Sequence, residues 1–164
     1  MTPPDYMSRP EEMAKQPDAL ACIQAIAKAA GPERETQFFN AAWSFWNFGH
    51  AWDDLVDESK WDDSRKELAW RALLEFVADL LTNPVYRDHA HGWSAMFASA
   101  VARNLDGDEM ARSVNRDRAA LAPAVRCADV DILVHFAYLA GGWEMMRSIG
   151  RRRDYDTPEQ KGAS

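Results

Sequence analysis

The sequence predicts an all-α, single-domain bundle of about five to six helices, and three observations predict it. Apolar residues in the long segments recur at the three- and four-residue spacing of one helix face. No segment alternates apolar and polar residues over enough positions to make a strand. Helix stops and starts punctuate the chain at Gly31-Pro32, Asn83-Pro84, Asp106-Gly107 and Pro123.

Residues 1–16, with three prolines and mixed charge, read as an N-terminal arm, and residues 17–152 as the bundle. The first helix spans 18–30, with Asp18 as N-cap and Gly31 as its stop. Pro32 opens a second, 32–58, with acids in its first turn. "SKWDDS" is a turn, and a third helix follows over 63–81 with a wide apolar side from Leu68 to Leu81. Asn83 caps a fourth helix that has Pro84 in its first position and runs to about 105. "DGDE" at 106–109 is a turn and the start of a fifth, to about 122. Pro123 ends that helix or opens the sixth, which runs to about 151. Residues 153–164 lack periodicity and read as a loose tail.

Composition narrows the function classes. Hydrophobic residues make up 47 % and charged residues 27 %, which is globular usage. A net charge of −7 argues against a general nucleic-acid surface, and "RRR" at 151–153 reads as a solvated helix end. No apolar run approaches the roughly 20 residues of a membrane span, and no secretory signal is visible. Cys22 and Cys127 lack ligand-like spacing and read as reduced thiols, so the expected compartment is the cytoplasm.

One stretch carries the chemistry. "NFGHAWDDLVDE", residues 47–58, crowds four carboxylates behind the aromatic run "FFNAAWSFW". At about 100° per residue, Phe38, Ala41, Phe45, Phe48 and Trp52 fall on one side of the second helix. Asn40, Ser44, Asn47, His50, Asp54, Asp57 and Glu58 fall on the other, with Asp53 at its margin. Aromatics nearly all round make this helix central, so its polar stripe is expected to face partly inward. Buried carboxylates need neutralising, and acids in a last turn also meet the negative helix pole. Asp53 and Asp57 are one turn apart, as are Asp54 and Glu58, so carboxylate pairs can close on one hard ion. Mg²⁺, completed by water and a substrate phosphate, fits best. Two other readings stand beside it: a solvated helix end balanced by Lys60, Arg65 and Lys66, and a purely structural ion-pair network.

The sixth helix carries a quieter stripe of Cys127, Asp131, His135, Tyr138 and Gly142. Asp131, one turn before His135, can fix an imidazole tautomer. Gly142 leaves room for a ligand or a close helix crossing. If this stripe faces the first, His50, Asp54, Asp57, Asp131 and His135 share one pocket, with His50 and His135 as candidate proton carriers. "DHAH" at 88–91 puts its histidines on different helical faces, and "DGDE" lacks the spacing of a calcium loop.

"DDLVD" at 53–57 resembles the DDxxD motif of isoprenyl diphosphate and terpene synthases. That resemblance implies an isoprenoid-synthase-like helical fold, in which Asp53, Asp54 and Asp57 carry Mg²⁺ against a substrate diphosphate. It also implies that the upstream aromatics wall an isoprenoid cavity. It covers one motif, and "DVD" at 129–131 is a poor counterpart for a second. Across residues 38–142, "FWN", "DDLVD", "NPVY" and "LAGG" together resemble small helical proteins of bacteriophage and prophage origin. That likeness implies no activity.

The sequence thus supports two functions. One is a Mg²⁺ site that binds or acts on a diphosphate-containing or phosphorylated small molecule. The other is a non-enzymatic helical binding protein of the phage accessory type, whose acids are structural. A homodimer is compatible with the spare apolar faces.

Overall fold

The computed structural model describes residues 17–57, 63–126 and 128–151. Among them every regular element is a helix: α1 Pro17–Ala29, α2 Glu35–Asp57, α3 Asp63–Thr82, α4 Pro84–Asp88, α5 Ala90–Ala111, α6 Arg116–Arg126 and α7 Ala128–Arg151. The expected arm, the centre of the "SKWDDS" turn, Cys127 and the tail lie outside the described residues. No described helix is long and apolar enough to cross a membrane.

Gly31 stops α1 as its residue type predicts. Its φ of 84° is left-handed, and its N–H donates to the Lys28 carbonyl at 3.2 Å. The chain turns at once into α2, which packs against α1, α3, α4 and α7. Both sides of α2 are buried in its first half, with Phe38, Ala41 and Phe45 on one and Trp43, Ser44 and Asn47 toward the other. This is the central placement that an aromatic circumference requires. From α2 a run of ring contacts crosses the core. Phe45 stacks on Phe97 at 5.7 Å and meets Phe76 at 5.9 Å. Phe76 meets Tyr86, Tyr86 meets Trp93 at 5.2 Å, and Trp93 meets Phe136 at 4.4 Å. The rings pack on one another and tie five helices together.

Four boundaries differ from expectation. α2 starts at Glu35, after a turn at 32–34, and not at Pro32. The fourth predicted helix breaks at His89 (φ −126°, ψ 27°) into α4 and α5. Its expected start is right: Asn83 Oδ1 accepts the Val85 N–H at 3.0 Å. "DGDE" is helical, because α5 runs through it to Ala111 and buries Gly107. The turn falls at 112–115 instead, where Asn115 Oδ1 accepts the N–H groups of Asp117 (3.0 Å) and Arg118 (3.2 Å). Glycine within a helix costs about 1 kcal/mol relative to alanine, an amount that close packing of α5 on α6 can offset. Pro123 neither ends nor opens a helix. It sits inside α6, which continues three residues beyond it to Arg126.

α7 is kinked at Gly141 and Gly142, and the two glycines do different work. Gly142 has φ 68° and ψ −158°, a conformation that a side chain disfavours strongly. A Cβ on Gly142 would meet nothing within 4 Å, whereas one on Gly141 would lie 3.2 Å from the Ala29 Cβ of α1. The close crossing expected at Gly142 is therefore made by its neighbour.

Candidate functional site

α2 stays helical through Asp57, so its backbone places Asp53 and Asp57 one turn apart. His50, Asp54 and Asp57 share a side at i, i+4 and i+7. The last turn contains no basic residue. The structure describes the backbone at Asp53, Asp54 and Asp57 but not their side chains, and Glu58 lies outside the described residues. His50 is half-buried and stands edge-on to the Trp46 ring, with centroids 4.6 Å apart. Among the described residues no three His, Cys, Asp or Glu side chains converge.

The polar stripe does turn inward over its first half, where Ser44 and Asn47 are buried. At Ser44 its neighbour is α3. Ser44 Oγ lies 3.0 Å from Asp79 Oδ2 and 3.2 Å from the Ala41 carbonyl, with one proton to donate. Asn83 Nδ2 donates to Asp79 Oδ1 at 3.1 Å and to the Gln37 carbonyl at 2.8 Å. The Tyr86 hydroxyl donates to the Ala41 carbonyl at 2.7 Å. Burial raises the Asp79 carboxyl above its usual range, against the opposing bonds from Asn83 and Ser44. Burial, and then the nearby Asp79, push the Tyr86 phenol well above its ordinary value. Asp79 is thus the hub of a clamp joining α2, α3 and the start of α4. Sequence reasoning passed over it. The available signal was an acid inside the apolar run "FVADLL", one turn before a proline-flanked capping Asn83.

Asp131 and His135 lie one turn apart on α7, and α5 supplies a neighbour to each. Asp131 forms an ion pair with Arg103, whose Nη2 also donates to the Ala124 carbonyl near the end of α6 at 3.3 Å. One guanidinium therefore stitches α5, α6 and α7. His135 meets the Trp93 ring at 90° and 4.8 Å. Its Nε2 is buried without a hydrogen-bond partner, 3.8 Å from where a Cβ on Gly92 would sit. Burial, and secondarily His89, hold its pKa below the ordinary value. Tyr138, from the same predicted stripe, is exposed. The described contacts place Asp131 and His135 beside α5.

The chain matches no family model, no curated protein and no solved structure.

Proposed function

We propose that the C-terminal end of α2 binds a divalent cation of the Mg²⁺ type, and through it a diphosphate-containing or otherwise phosphorylated small molecule. The supporting observation is the unbroken helix through Asp57, which keeps Asp53, Asp54 and Asp57 within one turn at a negative pole that lacks a basic residue. Carboxylate oxygens are the donors that a hard cation prefers, and one or two of them suffice for Mg²⁺ when phosphate supplies the rest. Asp53, Asp54 and Asp57 would hold the ion, with Glu58 next in line. Bound there, it would neutralise phosphate charge. His50, one turn before Asp54, is the proton carrier placed nearest by spacing. Asp131, engaged by Arg103, and His135, packed on Trp93, are not assigned to this site.

Thermal melting with and without Mg²⁺ or Mn²⁺ tests the proposal. A ligand at about 100 times its Kd adds about 2.7 kcal/mol, a shift of several degrees for a chain of this size. The wild type should gain that shift, and Asp54→Asn and Asp57→Asn should lose it.

A second reading, a non-enzymatic helical binding protein, is favoured by the α5–α6 hairpin. α6 packs chiefly on α5, and the pair leaves Val101, Leu105, Val114 and Leu121 exposed. Under this reading metal changes nothing, and both asparagine variants melt higher than wild type because repulsion among the acids is relieved.

A further inference from the structure

His135 leaves one ring nitrogen unused. Its Nε2 is shut off from solvent and has no hydrogen-bond partner, while the ring stands edge-on to Trp93. A buried polar atom without a partner is costly and rare, and it points to something that sits against it. The place against this atom lies opposite Gly92, in the first turn of α5. A Cβ on Gly92 would be 3.8 Å from Nε2 and, among the described residues, would meet no other atom within 4 Å outside its own stretch of helix. The backbone does not require glycine there, since positive φ occurs among the described glycines only at Gly31 and Gly142. Glycine in a helix is also less favourable than alanine. What the missing side chain leaves is space over Nε2.

A second imidazole borders that space. His89 is the N-cap of α5 and Gly92 its third residue, and the N-cap and third-residue side chains of a helix meet at its start. The His89 ring makes no capping bond, so it is not committed to the backbone. His135, for its part, is held neutral by burial and then by His89, and a metal ligand has to be neutral imidazole.

We propose that His89 and His135 bind one borderline divalent transition-metal ion, of the Zn²⁺ type, in the space over Gly92. Such ions take imidazole nitrogen at about 2.0–2.1 Å, whereas Mg²⁺ takes oxygen, so this site is chemically separate from the acids of α2 and does not rest on them. Ligation through Nε2 puts the His135 proton on Nδ1. No third His, Cys, Asp or Glu side chain converges there among the described residues. Asp131, one turn before His135, is engaged by Arg103, and Asp88 by Arg87. Water completes the coordination, which leaves exchangeable positions on the ion.

Zn²⁺ calorimetry and melting of the full chain, in a Cys22→Ser, Cys127→Ser background that removes competing thiols, test the proposal. One ion should bind per chain and, at about 100 times its Kd, raise the melting temperature by several degrees. His89→Gln and His135→Gln should each weaken binding by about tenfold or more, the loss that mutation of even an outer-shell partner produces. His91→Gln, at an exposed position, should bind as the background does. Gly92→Ala is the variant that folds at least as well as its parent. Without metal it should melt at or above the background, and it should lose the Zn²⁺ shift because its methyl group fills the coordination space. Asp54→Asn should keep the Zn²⁺ shift, and Gly92→Ala should keep any Mg²⁺ shift, so the two cation sites fail separately. A background protein that binds no Zn²⁺, binding that survives Gly92→Ala or His135→Gln, or binding abolished by Asp54→Asn overturns the inference.

Discussion

Asp79 shows how a half-buried acid is accommodated by two neighbours that each offer it a proton. Asn83 donates to one carboxylate oxygen and Ser44 to the other, yet burial still raises the pKa. The charge is therefore a cost that the bonds only partly offset. An amide at this position can accept from Asn83 and donate to Ser44, whose own proton is then free for the Ala41 carbonyl. Asp79→Asn is expected to melt at or above the wild-type temperature at pH 7. Asp79→Ala, which leaves Asn83 and Ser44 short of a partner, is expected to lose about 1–3 kcal/mol in denaturant titration. His135 makes the opposite kind of pH statement. Its folded pKa lies below the ordinary 6.5, so the unfolded chain takes up a proton first as pH falls. Stability from this group is full above about pH 6.5 and is lost as pH falls from there through the lower folded value. Melting temperatures at pH 7.5 and 5 should therefore fall further apart in the wild type than in His135→Gln.

At the scale of elements, residues with one dominant conformational role were read correctly. Gly31 stops α1, and Asn83-Pro84 opens α4. "DGDE" misled because glycine and aspartate favour a turn only in the absence of something better. Packing of α5 on α6 and the Asn115 cap four residues past the end of α5 outweighed them. The kink in α7 is the reverse case, since a run that reads as continuous helix contains a glycine in a region reserved for glycine. Gly142→Ala, although a Cβ there touches nothing, should cost about 1–3 kcal/mol through backbone strain alone. An unfolding titration showing less than a few tenths of that would mean the kink relaxes easily.

Across the whole molecule, α2 lies at the centre and the α5–α6 hairpin at the margin, and that arrangement sets what each polar group can do. Ser44 and Asn47 are buried, as the aromatic circumference of α2 implied, while Asp131 and His135 meet α5. The amphipathic pattern showed that each helix has a covered side but could not say by which neighbour, because a 3.6-residue period carries no partner identity. For the same reason the sequence showed a wide apolar side on α3, and only the packed bundle separated Phe76, which meets α2, from Leu74, Val77 and Leu81, which it leaves exposed.

The sequence by itself determined that the chain is helical, the helix ends set by Gly31 and Asn83, and the inward turn of the α2 stripe over its first half, because spacing, caps and glycines act over a few residues. Only the tertiary structure decided which distant polar groups meet: Asp79 with Ser44, and Arg103 with Asp131. Those pairings join residues 35 and 28 positions apart, and they depend on crossing geometry that no local pattern encodes.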